Sequence, residues 1–232
     1  MKIKILSWNI WIGGHFKEIK DFLRDSKADI IGLQEVKDDD KSRDVISYLS
    51  GLGYQHVFTP VIKVSRSKKG VIYRDGPAVF SKHNIVGSEI HNLSKDDNRV
   101  AVRADIEIDA KQLHVFSTHL IHTHQRPLPL RESQVDSLIK VLPSNSTVVM
   151  GDFNATPEDK TIQKIKTVLV DTDPLSTPTW SNYPEGCPTC NPQKVDTRLD
   201  YIFVTKDLKT DSFKVEESKG SDHLPISVAV EL

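Results

Sequence analysis

Eight residues between Asn9 and His223 have side chains suited to acid–base or metal chemistry, and each stands directly beside apolar sequence. Asn9 closes "ILSWN", Glu35 closes "IIGLQE", His119 closes "FSTH", and Asp152 and Asn154 lie at the end of "VVMGDFN". Asp200 lies in "RLDYIFV", while Asp222 and His223 separate a Gly-Ser turn from the last apolar run in "KGSDHLPI". Any one of them admits a plainer reading: Asn and Asp form turns, Glu35 is a surface charge, and Asp200 is a partner for Arg198. Turn chemistry does not call for so many such groups at strand mouths, which is where rigid scaffolds present reactive side chains. Carboxylates and amides without cysteine suit a hard, oxygen-preferring cation, Mg²⁺ or Mn²⁺, rather than a tetrahedral zinc. Imidazoles added to such a set suit an anionic substrate. A phosphoester satisfies both, with the cation and an imidazolium neutralising its oxygens while a carboxylate activates water.

The elements that must carry these residues are strands with helices between them. Apolar runs of strand length recur as "IKILSW", "DIIGLQE", "PAVFS", "VAVRADIEI", "LHVFSTHL", "TVVMGDF", "LDYIFV" and "ISVAVEL". Several are too continuously apolar for a sheet with one wet face, which predicts sheets covered on both sides. Helical periodicity falls at Phe16 to Leu23, Val45 to Leu52, Ser133 to Leu142 and around Ile162 to Leu169, with Pro127 and Pro129 preceding the third. Early β-α alternation gives way to adjacent strands from Ala78 to Leu120, so two sheets with helices outside them are expected. The long Pro-, Thr- and Asn-rich stretch from Asp171 to Arg198 lies between strands rather than domains, and residues 1–232 are taken as one domain.

The chain has 31 Lys and Arg against 32 Asp and Glu, a formal charge of −1, so binding of a polyanion must rest on a local basic surface. That surface is sought in "VIKVSRSKKGVIYR", where Arg66, Lys68 and Lys69 flank Ser67 and Gly70 with no acid nearby. Lysines guarding an edge strand are the alternative. No segment has the roughly 18 consecutive apolar residues of a membrane span, and no secretory leader is visible, so a cytoplasmic protein without a membrane partner is expected. Two cysteines, Cys187 and Cys190, exclude a disulfide framework.

"SWNI", "LQEV", "STHL", "GDFNATP", "RLDYIFV" and "GSDHLP", in this order from Ser7 to Pro225, resemble the motif series of the endonuclease/exonuclease/phosphatase superfamily. The resemblance implies a four-layer α/β/β/α sandwich with two mostly antiparallel mixed sheets packed face to face. It also implies hydrolysis of phosphodiester bonds with Mg²⁺ or Mn²⁺. By motif, Glu35 is the principal metal ligand, Asn9 helps to hold metal and phosphate, and Asp222 contributes to the metal site. Asp152 resembles the residue that orients and deprotonates the attacking water, and Asn154 fixes its geometry or the phosphate. His223 resembles the imidazole on the scissile phosphate, with Asp200 behind it. His119 resembles the second imidazole of the deoxyribonuclease, sphingomyelinase and inositol-phosphatase branches, and "YRDG" offers Tyr73 and Asp75 near the place of a supporting Tyr-x-Glu segment.

Nucleic acid is the expected substrate and a monomer with no obligate protein partner the expected state. A lipid, sugar or inositol phosphate, or an inactive binding domain, are the alternatives. Trp180 in "STPTW" resembles an aromatic that borders the substrate cleft, or simply pins the long loop. Arg131 to Gln134 resembles an Arg-x-x-Gln pattern of relatives, or is the start of an amphipathic helix. "CPTC" is half of a four-ligand zinc signature that His122 and His124 could complete; free thiols on a surface loop are the preferred reading.

Overall fold

Val- and Ile-rich segments of the chain pair into two mixed sheets. The computed structural model describes residues 1–64, 72–95, 97–124 and 126–232. In chain order its elements are β1 (Lys2–Asn9), α1 (Phe16–Ser26), β2 (Ile30–Val36), α2 (Val45–Gly51), β3 (Gln55–Phe58), β4 (Val61–Val64), β5 (Ile72–Ser81), β6 (Asn84–Asn92) and β7 (Val100–Ile108). There follow β8 (Lys111–His119), α3 (Pro129–Ile139), β9 (Thr147–Asp152), α4 (Lys160–Ile165), β10 (Val170–Asp171), β11 (Asp200–Val204), β12 (Lys209–Val215) and β13 (Ile226–Glu231). One sheet runs β12-β13-β1-β2-β5-β3 with β4 also on β5, and the other runs β10-β11-β9-β8-β7-β6.

Only β1 with β2 and β8 with β9 pair in parallel; the other pairings of the described strands are antiparallel. A parallel pair needs a crossover, and α1 and α3 supply the two. Each crossover brings two strand ends to the same edge, so Asn9 lies opposite Gln34 and His119 opposite Asp152. Three apolar clusters separate four layers. Leu6, Trp8 and Phe80 pack on Ile19, Leu23, Val45 and Leu49 of α1 and α2. Phe116, Val149 and Tyr201 pack on Val135, Leu138, Ile162 and Ile165 of α3 and α4. Between the sheets lie Ile5, Val79, Val102, Val115, Met150, Ile202 and Val228. This is the expected α/β/β/α sandwich.

Toward the strand ends that carry Asn9 and Asp152 the contact between sheets turns polar. Gln34 Nε2 of β2 donates to Ser117 Oγ of β8 at 3.1 Å, and Ser117 Oγ donates to the Leu33 carbonyl at 3.2 Å. Asn9 Nδ2 of β1 donates to Asp152 Oδ2 of β9 at 3.0 Å.

The helices depart from expectation at their ends. Pro129 is the first residue of α3 rather than a residue before it, because a first-turn proline lacks only an N–H that has no helical partner. α4 stops at Ile165, short of Leu169. The strands that the apolar pattern does not reveal, among them β3, β6 and β12, have mostly half-buried or exposed residues. No helix of the described residues is long and apolar enough to cross a membrane.

Candidate active site

Local backbone geometry aims the side chains at the shared edge. Glu35 has φ 60° at a register shift between Leu33 and Val36, where β2 pairs with β5. Such a bulge bends the strand locally and re-aims a side chain. Gly151 has φ 149°, and a Cβ there would sit 2.0 Å from the Thr118 carbonyl oxygen, so only glycine lets β9 lie against β8 immediately before Asp152. Asn154 is left-handed at φ 49°, a conformation asparagine tolerates, and its N–H donates to Asp152 Oδ1 at 2.8 Å. Behind it Trp8, on the helix-covered face of β1, donates its indole N–H to the His223 carbonyl at 2.9 Å, which fixes the segment before β13.

Asp152 Oδ2 is the centre of the arrangement. Besides Asn9 it has His119 Nε2 at 3.4 Å and His223 Nε2 at 3.6 Å. His223 Nδ1 lies 2.8 Å from Asp200 Oδ2, and that same oxygen accepts from Thr179 Oγ1 at 2.6 Å. Burial raises the Asp152 carboxyl to about 6, opposed by His223 and reinforced by Asp200. Burial works against charge on His223, but Asp200, Asp152 and Asp222 overcome it and lift the imidazole well above its ordinary value. Near neutral pH a charged imidazole therefore stands between the Asp152 and Asp200 side chains. Burial likewise raises Asp222, whose Oδ2 accepts from Trp180 Nε1 at 3.3 Å.

Asn9 Nδ2 reaches both Asp152 and Glu35 Oε1, the latter at 3.3 Å, while Ile12 N–H donates to Glu35 Oε2 at 2.7 Å. Asn9 Oδ1 accepts from Trp11 N–H at 3.0 Å, so the amide nitrogen faces the carboxylates. Asn154 is similarly committed: Nδ2 donates to the Leu120 carbonyl at 3.0 Å and Oδ1 lies 2.8 Å from His122 Nδ1.

Asn9, Glu35, His119, Asp152, Asn154, Asp222, His223 and Trp180 line one cavity of about 780 Å³, with Asp200 behind His223. Sequence reasoning missed Arg99 and Asp97, which also line it, and Thr179, which holds Asp200; His122, singled out in the sequence as a partner for "CPTC", lines it too. Asp75 is buried on the same wall. Arg66, Lys68 and Lys69, and the side chain of Tyr73, lie outside the described residues. Arg131 is not a surface residue of an amphipathic helix. It is fully buried and donates to the Asn154 carbonyl, Thr123 Oγ1, the Arg126 carbonyl and Asp159. Gln134, also buried, accepts from Ile121 N–H and donates to Asp97.

Cys187 and Cys190, expected as free thiols, are joined in a disulfide, and Cys187 is buried on the cavity wall. A turn in which Cys190 N–H donates to the Cys187 carbonyl at 3.0 Å sets their Cα atoms 5.3 Å apart, within disulfide range.

The donors fit a hard divalent cation. Glu35 and Asp152 are held on either side of one amide nitrogen, and Asp222 adds a third carboxylate to the same cavity. Opposed negative charges so close together favour a cation among them.

The sequence profile of the Endonuclease/Exonuclease/phosphatase family matches residues 6–223. The chain belongs to that family. Members of the endonuclease/exonuclease/phosphatase family are divalent-metal-dependent hydrolases of phosphoester bonds. The fold agrees: an endonuclease/exonuclease/phosphatase from Beutenbergia cavernae superposes with TM-score 0.81 at 19% identity, over 100% of this chain and 72% of that one. The human Nocturnin catalytic domain with bound sulfate superposes with TM-score 0.71 at 24% identity, over 99% and 93%. D. rerio TDP2 complexed with a single-strand DNA product superposes with TM-score 0.73 at 17% identity, over 100% and 99%. No curated protein sequence matches significantly.

Proposed function

We propose that this chain is a Mg²⁺- or Mn²⁺-dependent phosphodiesterase that hydrolyses nucleic acid. The observation that carries the proposal is the row Asp152–His223–Asp200, set opposite Glu35 across the Asn9 amide. Glu35 and Asp222 hold the cation, and Asn9 fixes the distance between Glu35 and Asp152. When bound, the cation supplies Lewis-acid stabilisation of charge on the phosphate oxygens. Asp152, oriented by Asn154 N–H and raised toward neutral pH, takes the proton of the attacking water. His223, kept charged and oriented by Asp200, donates its Nε2–H to a phosphate oxygen, and His119 faces the same position from β8. Asn154 acts through its backbone, since both ends of its side chain are engaged.

Nucleic acid is favoured by Trp11, which lines the cavity and stacks on Tyr183 at 5.9 Å, a surface on which a base can lie. The DNA product on D. rerio TDP2, a protein of the same fold, points the same way. Excess chelator should abolish hydrolysis of a DNA or RNA substrate, Mg²⁺ or Mn²⁺ should restore it, and Glu35→Gln should raise the metal concentration required. Full activity in excess chelator overturns the metal role. Neutralising Arg66, Lys68 and Lys69 should raise KM for a duplex and leave a small bis-aryl phosphate unaffected. Cleavage of a lipid or sugar phosphoester with no nucleic acid cleaved overturns the substrate.

A further inference from the structure

We infer that His122, His124, Cys187 and Cys190 form a second metal site, selective for zinc and separate from the hard-cation site. The sequence gives two half-signatures, His-x-His after β8 and Cys-x-x-Cys in the long loop between β10 and β11. The fold brings them together, with one ligand atom from each residue all within 4.8 Å of one another. His124 Nδ1 lies 3.4 Å from Cys187 Sγ and 3.4 Å from Cys190 Sγ, His122 Nε2 lies 3.8 Å from Cys187 Sγ, and the two nitrogens are 3.1 Å apart. Zinc bonds to sulfur and imidazole nitrogen imply tetrahedral edges of about 3.3–3.8 Å. These four separations are already close to that. The sulfur pair is the edge that must open.

Protonation and hydrogen bonding agree with ligation. Asn154 Nδ2 donates to the Leu120 carbonyl, which leaves Oδ1 as an acceptor; His122 Nδ1 must therefore carry the proton. The lone pair of His122 is then on Nε2, pointing at the cysteines. A ligating histidine ordinarily anchors its other nitrogen in this way. Cys190 N–H points at Cys187 Sγ at 3.2 Å, a donor that stabilises a thiolate. Burial lowers both imidazoles, favouring the neutral form a metal needs. His124 is exposed, which leaves a path for the ion.

Soft thiolates select zinc over Mg²⁺, so the two sites sort their ions by donor type. The disulfide and the metal exclude each other. A trialkylphosphine with water converts the disulfide to two thiols and a phosphine oxide, and metal binding then releases the two thiol protons to solvent. The disulfide closes a loop with a sequence separation of 3, whereas the metal would tie segments 63 residues apart.

The test is cobalt titration of the full chain after phosphine reduction, with Mg²⁺ in excess. One Co²⁺ per chain should bind with tetrahedral visible bands and a thiolate-to-cobalt charge-transfer band, and Zn²⁺ should bleach both. Cys190→Ser and His124→Ala should lose the charge-transfer intensity or weaken binding at least about tenfold, whereas Glu35→Gln should keep it. That last variant separates this site from the hard-cation site, which has no sulfur. In the folded wild-type chain, Zn²⁺ should protect both cysteines from alkylation, read by intact mass. No charge-transfer band in the reduced wild type, an unchanged band in Cys190→Ser, or alkylation indifferent to Zn²⁺ overturns the inference.

Discussion

Asp152 and Asp200 stand directly opposite each other on the antiparallel strands β9 and β11. Like charges in that position repel, and His223 resolves the conflict by approaching both, at 3.6 Å and 2.8 Å. Its removal should therefore cost more than chemistry. His223→Ala should lower the rate at least about 10²-fold. It should also destabilise the fold, by roughly 3–5 kcal/mol where both carboxylates are ionised. Urea unfolding at pH 8 and pH 5 checks this, because at the lower pH Asp152, raised to about 6, takes up a proton and the loss should shrink.

Thr179 offers a finer probe. Its hydroxyl donates to the Asp200 oxygen that holds His223, and it accepts from Leu199 N–H at 3.1 Å. Thr179→Val keeps the shape and removes a hydrogen bond to a charged group, worth about 1.5–3 kcal/mol. The expected result is a kcat lowered about tenfold or more with little change in KM, and a shifted alkaline limb of the pH–rate profile, because Asp200 then supports the imidazolium less well. Steady-state kinetics across pH distinguishes this from a general loss of fold.

The metal-free protein should lose stability as pH rises. His223 has a folded value above its ordinary 6.5, so its contribution is complete below 6.5 and disappears as pH passes the folded value. Asp152 is raised from 3.8 to about 6, so the native state also holds its proton more tightly, and stability falls between those values. Both effects have the same sign, and His91, His122 and His124, whose values burial lowers, oppose them only below their ordinary 6.5. In chelator, Tm should decline from pH 6.5 to pH 8, Asp152→Asn should flatten the decline, and Mg²⁺ should restore stability at the upper end. A Tm that rises across this range contradicts the assigned protonation states.

Arg131 links the turn after β9 to the N-terminus of α4 through Asn154, Thr123 and Asp159. Arg131→Met fills the space but leaves those acceptors without a donor, at a cost of about 3–5 kcal/mol. Thermal unfolding should register that loss. kcat should fall with it, because Asn154 N–H orients Asp152.

Much of this is legible in the sequence. The continuous apolar character of "TVVMGD" and "DIIGLQE" announces strands covered on both faces, and both are central in their sheets. The polar residues that end those runs arrive at one edge because β1/β2 and β8/β9 are parallel. Thr179 was not legible, since a threonine in a Pro- and Thr-rich loop carries no signal until the loop is seen crossing Asp200. The burial of Arg131, at the start of a helix, is not legible either, because it depends on acceptors from three other segments. The proximity of His122 and His124 to "CPTC" depends on how two loops drape over the edge, which periodicity does not encode.

The contact between the sheets is oily along most of its length, with hydrogen bonds toward the edge that carries Asn9 and Asp152 and, at the far end, from Ile85 N–H to Gln55 Oε1. Apolar contact is indifferent to direction, so sliding one sheet over the other by a fraction of a residue changes the buried area little. At the catalytic edge the same slide would pull Asn9 from Asp152 and Gln34 from Ser117 together. Those polar links serve the sandwich as an alignment pin: Asn9 and Asp152, which line the cavity, also key the two halves of the scaffold into register.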